Sequence, residues 1–296
     1  MLPSSYSKVV KRAADGWARR HLWAPRYDRG QRLSIVADDG TRLSVTRLEG
    51  PPSAPLTIVF IHGFLNWSRS PAVHAFAERL AREVHVVVPD LRGHGRSGGR
   101  CTMGRSEPRD VAAAVAAAPP GVPVVTVGTS LGGAAVMLHA GTYGGVAGAV
   151  SISGPAWWGS PKRPGAQRLA AWVEKPLGRA LLAGLLGTRV DTCIAGAQGS
   201  RAVVSAIAPA FTLVAHDPDD SYFGPEHPLQ VMDWALPPKE LWWIPDAGHG
   251  SDLLTPAFAD RLLAAVRDKV AAAPGARAPG IEGGIAYVAA GTGAFG

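Results

Sequence analysis

Between residues 55 and 273 the chain repeats one pattern. Short continuous apolar runs, rich in Val and Ile, alternate with stretches in which apolar side chains recur every three or four positions. The runs at 56–61, 84–88, 122–127, 146–153, 210–215 and 240–244 lack the polar-apolar alternation of a strand with one wet face. They predict strands buried on both sides. The intervening stretches at 72–82, 111–118, 132–140, from Glu226 onward, and 256–273 predict helices. Repeated strand–helix–strand units fold as a mostly parallel sheet with helices on both faces, so the predicted class is α/β.

Three regions depart from this rhythm. Near the start, 32–36 and 42–47 flank Asp39-Gly40, a hairpin signal. Residues 155–206 are rich in Trp, Pro, Gly, Ala and Leu, with one or two helices expected in 169–186. They read as a short helical cap inserted between two core strands. At the ends, 5–23 carries Tyr6, Val9, Val10, Ala13 and Trp17 at helical spacing, and 274–296 is a Gly/Ala-rich, weakly patterned tail. The expected organisation is an N-terminal helical extension (1–30), an α/β domain (31–273) with its cap, and a flexible tail.

Composition narrows the function classes. Hydrophobic residues make up 47% of the 296 residues and charged residues 18%, a balance suited to a folded core. The net charge of +7 suggests nucleic acid until its distribution is seen. Residues 1–32 hold eight basic residues (Lys8, Lys11, Arg12, Arg19, Arg20, Arg26, Arg29, Arg32) against Asp15 and Asp28, leaving the body nearly neutral. No basic, aromatic-interleaved stripe runs through that body, so no nucleic-acid partner is expected. A basic amphipathic helix suits either an anionic membrane or the protein's own surface; docking through Trp17 is the expectation. No apolar stretch is long enough to span a bilayer, and no secretory leader is legible. Cys101 and Cys193 sit in no metal-ligand spacing and make no disulfide framework. The expected location is therefore cytoplasmic, with Cys101 a structural thiol and no metal or cofactor implied.

The chemistry concentrates at turns that follow strands. Gly128-Thr129-Ser130-Leu131-Gly132 lies between a predicted strand and a predicted helix. A sharp turn there lifts the serine hydroxyl above the sheet, and the flanking glycines remove the Cβ atoms that would clash. A serine hydroxyl needs a base. His249, in Asp246-Ala247-Gly248-His249-Gly250, follows the last strand at the sheet edge where sites collect. The base needs a carboxylate to fix its tautomer. Asp217, Asp219 and Asp220 all follow the strand at 210–215, and position alone leaves the three in competition. The backbone N–H groups of Leu131 and Phe64 are the expected oxyanion donors. His62 is read as a brace for its loop. Trp67, Trp157 and Trp158 are candidates for an apolar substrate pocket, with Leu181, Leu182, Leu185 and Leu186 in the cap.

These blocks, taken in order, resemble the α/β-hydrolase superfamily: His62-Gly63-Phe64, Asp90-Leu91-Arg92-Gly93-His94-Gly95-Arg96-Ser97, Gly128 to Gly132, His216-x-x-x-Asp220, and Gly248-His249. The resemblance spans roughly residues 54–272. It implies an α/β-hydrolase fold and Asp220 as the acid, although Asp217 stands where the family pattern has glycine. It implies that Asp90–Ser97 forms a loop pinned by hydrogen bonds of Asp90 and Arg92. A serine nucleophile also sets the chain apart from relatives that attack through a carboxylate. The resulting expectation is a serine esterase near the monoacylglycerol-lipase and small-ester branches. It would cleave an apolar acyl ester through an acyl-enzyme, with Ser130, Asp220 and His249 as triad. Thioester, lactone, amide or carbon–carbon cleavage by the same residues stands as the alternative within enzymes, and a non-catalytic binding protein outside them.

Overall fold

The computed structural model describes residues 25–27, 29–160, 162–192 and 199–272. The N-terminal helix expected at 5–23, Trp17 within it, Cys193 and the tail at 274–296 lie outside the described residues.

An eight-stranded sheet forms the centre. Its strands are β1 (Gly30–Val36), β2 (Arg42–Leu48), β3 (Thr57–Ile61), β4 (His85–Pro89), β5 (Val124–Thr129), β6 (Gly148–Ile152), β7 (Phe211–His216) and β8 (Lys239–Trp243). The spatial order is β1-β2-β4-β3-β5-β6-β7-β8. β1 and β2 form the antiparallel hairpin, turned at Gly40 with φ of 81°, and β2 joins β4 antiparallel; from β4 to β8 every pairing is parallel. Burial follows from this order. Every residue of β3, β5 and β7 is buried, whereas the two edge strands, β1 and β8, each keep exposed positions. The uninterrupted apolar runs are thus the strands with helices on both faces.

Seven α-helices complete the described fold: α1 (Pro71–Leu80), α2 (Glu107–Ala116), α3 (Leu131–Tyr143), α4 (Pro164–Val173), α5 (Pro176–Leu186), α6 (Glu226–Trp234) and α7 (Pro256–Ala272). Phe60 of β3 packs among Phe76 of α1 and Phe258 and Leu262 of α7 on one face of the sheet, with ring centroids of Phe60 and Phe76 5.1 Å apart. On the other face Val59, Val87 and Ile61 pack with Val111 and Ala114 of α2 and Ala135 of α3. Two expectations shift. α2 starts at Glu107 rather than 111, because Pro108 fits the first helical turn, where its missing N–H removes no bond. The stretch expected as one or two helices over 169–186 is two, divided at Pro176, and begins earlier, at Pro164. α4 and α5, followed by two short 3-10 turns at Ser200–Ala202 and Val204–Ile207, lie between β6 and β7 in sequence.

Candidate active site

The turn from β5 into α3 carries Ser130 with φ of 52° and ψ of −116°, a backbone conformation that β-carbon sterics disfavour. Such a residue costs on the order of 1–3 kcal/mol and persists only where the surroundings fix it. They do. A Cβ on Gly128 would stand 2.2 Å from the Gly132 carbonyl oxygen, and one on Gly132 would stand 2.3 Å from that of Ile61. The Ser130 N–H donates to Ile152 O at 2.8 Å. β3, β5, α3 and β6 therefore hold one half-buried hydroxyl above the carboxyl ends of the parallel strands.

Ser130 Oγ lies 2.9 Å from His249 Nε2. His249 Nδ1 lies 2.6 Å from Asp220 Oδ2. Asp220 is fully buried, and its second oxygen accepts the backbone N–H groups of Tyr222 (2.7 Å) and Phe223 (3.2 Å). With Asp220 ionised, this pattern puts the imidazole proton on Nδ1 and leaves Nε2 to accept the Ser130 hydroxyl. The His249 backbone is held too: its N–H donates to Asp252 Oδ2 at 3.1 Å.

The structure separates the three competing aspartates by their partners. Asp219 is exposed. Asp217 is buried, but Oδ1 takes the Asp219 N–H (2.9 Å) and Oδ2 takes the Gly248 N–H (2.7 Å). Asp217 thus ties the loop after β7 to the residue preceding His249. In sequence Asp217 stands only as a competing acid where the family pattern has glycine; its bond to Gly248, 31 residues on, leaves no local signal.

Phe64 and Leu131 stand at the turns after β3 and β5, and neither backbone N–H donates to an acceptor among the described residues. Phe64 packs against the cluster of Val173, Leu182 and Val190, so the cap helices buttress its turn. His62 is fully buried and braces that turn: Nε2 accepts the Leu91 N–H at 3.0 Å and Nδ1 lies 2.8 Å from Gly63 O.

A cavity of about 360 Å³ opens between the cap and the loop after Asp220. Trp157, Trp158, Leu169, Val173, Tyr222 and Phe223 are among its walls. Tyr222 and Phe223 join it to the histidine: Tyr222 stacks on His249 with centroids 4.2 Å apart, and Phe223 lies 5.7 Å away. Sequence reasoning missed this aromatic pair, whose signal was its position directly after the acid. Trp157 stacks on His227 at 4.0 Å, while burial lowers the His227 pKa to about 4 and keeps its ring neutral. Trp67, the third tryptophan expected here, does not line this cavity. Its backbone N–H donates to Ser70 Oγ at 2.9 Å, in the turn that opens α1. Of the cap leucines only Leu182 is buried; Leu181 and Leu185 are each 37% exposed. Cys101 is buried, its thiol 3.7 Å from Met103 Sδ, and burial pushes its pKa well above the ordinary value, which leaves an inert thiol. Among the described residues no cluster of His, Cys, Asp and Glu has the makings of a metal site, and no helix is long and apolar enough to cross a membrane.

Comparison with known proteins agrees with this architecture. Residues 58–290 match the model of the family described as "Alpha/beta hydrolase family". Similar solved structures include an esterase from a Rhodococcus species (23% identity, 82% of this chain and 99% of that one, TM-score 0.63). A Pyrococcus furiosus esterase is 19% identical over 82% and 90% of the two chains, with a TM-score of 0.63. A bacterial membrane phospholipase A covers 92% of this chain and 93% of its own at 20% identity, with a TM-score of 0.62. At these identities the likeness is one of fold. No curated protein matches the chain.

Proposed function

The chain belongs to the alpha/beta hydrolase family, and on that premise we propose that it is a serine hydrolase cleaving carboxylic esters through an acyl-enzyme. The observation that carries the reading is the unbroken hydrogen-bonded series Ser130–His249–Asp220, at 2.9 and 2.6 Å. The strained turn beneath Ser130 keeps its hydroxyl in line with a base that a buried carboxylate orients.

In the first half-reaction Ser130 Oγ adds to the ester carbonyl carbon while its proton passes to His249 Nε2. The carbonyl oxygen becomes an oxyanion, which the Phe64 and Leu131 N–H groups stabilise. Asp220 stabilises the imidazolium. The intermediate collapses, the carbon–oxygen bond to the alcohol breaks, and His249 returns its proton to the departing alkoxide. Water enters, His249 takes one of its protons, and the resulting attack frees the acid and restores Ser130. His249 returns each proton it takes, first to the alcohol and then to Ser130, and no atom changes oxidation state through the cycle.

The cavity beside His249 supports an apolar acyl ester as substrate: Trp157, Trp158, Leu169 and Val173 make an apolar share of its walls, with Lys162, Arg163, Glu174 and Glu226 also lining it, and its size suits a small ligand. The esterases among proteins of similar fold favour ester over amide, lactone, thioester or carbon–carbon bonds. The test is turnover of p-nitrophenyl esters of increasing acyl length by purified protein. Activity on short and medium chains that disappears in Ser130→Ala is expected. Undiminished turnover in Ser130→Ala, or activity confined to thioesters or lactones in a parallel panel, overturns the ester reading.

A further inference from the structure

A second cavity, about 380 Å³, shares no residue with the one beside His249. Its walls are Arg26, Tyr27, Gly30, Arg32, Thr46, Arg69 and Arg96. Four arginines from four separate stretches line it: Arg26 from the irregular chain before β1, Arg32 from β1 itself, Arg69 from the turn before α1, and Arg96 from the loop after β4. Arg26, Arg32 and Arg96 make no ion pair with a carboxylate among the described residues, and Arg69 Nε donates to Pro25 O at 2.6 Å. The acid facing the group is Asp90, buried and already accepting the N–H groups of Ser68 (2.8 Å) and Arg96 (2.9 Å).

The arginines oppose one another. Burial, and after it Arg96, hold the Arg32 guanidinium below its ordinary pKa. Burial, then Arg96, Arg26 and Arg32, do the same to Arg69. A fold gains nothing from gathering like charges in one concavity unless an anion offsets them. The chemistry of that anion follows from the donors. A carboxylate satisfies one planar fork, whereas several forks meeting from different directions suit a phosphate group, with its three free oxygens and double charge. The hairpin β1–β2 supplies a rigid wall, and Tyr27 closes one side, its hydroxyl donating to Ser68 O at 2.5 Å.

We propose that the Arg26–Arg32–Arg69–Arg96 cavity is an anion site for a phosphate group, carried either by a small phosphorylated molecule or by a lipid headgroup. The site is separate from the ester-cleaving centre and stands whether or not Ser130 is a nucleophile.

Calorimetric titration of the full chain with inorganic pyrophosphate at fixed ionic strength tests it. Saturable binding is expected, weakened about ten-fold or more (~1.4 kcal/mol) in Arg32→Gln and in Arg96→Gln. Both side chains are exposed, so both variants should melt like wild type without pyrophosphate. Arg96→Lys, which keeps the charge and loses the fork, should fall between. A second arm sediments the same proteins with phosphatidic acid vesicles and with phosphatidylcholine vesicles. Loss of phosphatidic acid binding in the two Gln variants assigns the phosphate to a lipid headgroup. Pyrophosphate binding without that loss assigns it to a small phosphorylated molecule. Absence of saturable pyrophosphate binding, or binding equally strong in both Gln variants, overturns the proposal.

Discussion

Two networks of buried charge lie at the carboxyl edge of the sheet, and they differ in one respect. In the loop after β4, Asp110 is fully buried and takes Arg92 Nε (2.9 Å), Nη2 (2.7 Å) and the Arg92 backbone N–H (2.8 Å); Arg92 Nη1 reaches Asp39 at 2.7 Å. Burial works to lower the Arg92 pKa, yet Asp110 and Asp39 hold it above its ordinary value. Ser97 Oγ donates to Asp90 O (2.5 Å) and accepts the Ser44 N–H (2.9 Å). This network is closed on itself. The series Asp220–His249–Ser130 begins in the same way, with a buried carboxylate held by backbone N–H groups. It ends at a half-buried hydroxyl beside two N–H groups that no described acceptor uses. Closed networks lock the framework, because any uncompensated buried charge is costly. On the mechanism proposed, the open one keeps its unspent bonding capacity for a reacting molecule.

Breaking each network should therefore hurt a different property. The largest effect is expected on the open side. His249→Gln should lower kcat/KM for an ester by about three orders of magnitude or more while the melting temperature holds. On the closed side, Arg92→Met leaves Asp110 buried and unpaired, and should cost about 3–5 kcal/mol in urea unfolding. Arg92→Met combined with Asp110→Leu should recover much of that loss. A single variant no less stable than wild type contradicts the framework role.

Asp217→Asn separates support from chemistry, since Asp217 ties together the loops that carry Asp220 and His249 without bonding to either side chain. Weakening its charged bond to the Gly248 N–H should cost about 1–2 kcal/mol. The pH profile of kcat/KM should keep its wild-type shape, because the titrating groups are untouched. A profile displaced along the pH axis would instead make Asp217 part of the proton path.

The smallest effect concerns acid stability. Burial lowers the pKa of both His139 and His227 to about 4. A depressed folded-state pKa means the unfolded chain binds more protons, so this contribution is complete above pH 6.5 and fades as pH falls toward 4. His227 Nδ1 accepts the Ala156 N–H at 3.1 Å, an acceptor position that asparagine can imitate without titrating. His227→Asn should flatten the melting-temperature profile between pH 6.5 and 4. An unchanged slope would leave the titration to other groups.

Much of this architecture is legible in the sequence, for identifiable reasons. Thr57–Ile61 and Phe211–His216 are apolar enough to announce strands covered on both faces, and Asp39-Gly40 announces the hairpin. Five ordered motifs place a serine, an aspartate and a histidine each just past a strand end. What stays hidden depends on contacts between segments distant in sequence. No local pattern reveals that β4 lies between β2 and β3. Nor does any reveal that Asp217 reaches Gly248, 31 residues on. Trp67 reads like Trp157 and Trp158 in composition, yet only the last two fold against the cavity. Tyr222 and Phe223 pass for ordinary aromatics until Tyr222 is seen stacked on His249 with the tilted Phe223 ring beside it.

If Ser130 is a nucleophile made reactive by His249 and Asp220, an organophosphorus electrophile should capture it covalently. The native protein is incubated with a fluorophosphonate probe, digested, and the modified peptide sequenced by mass spectrometry. One adduct per chain on Ser130 is predicted, slowed about a thousand-fold in His249→Gln. No adduct on Ser130 in folded protein, or labelling equally fast without His249, would contradict the account.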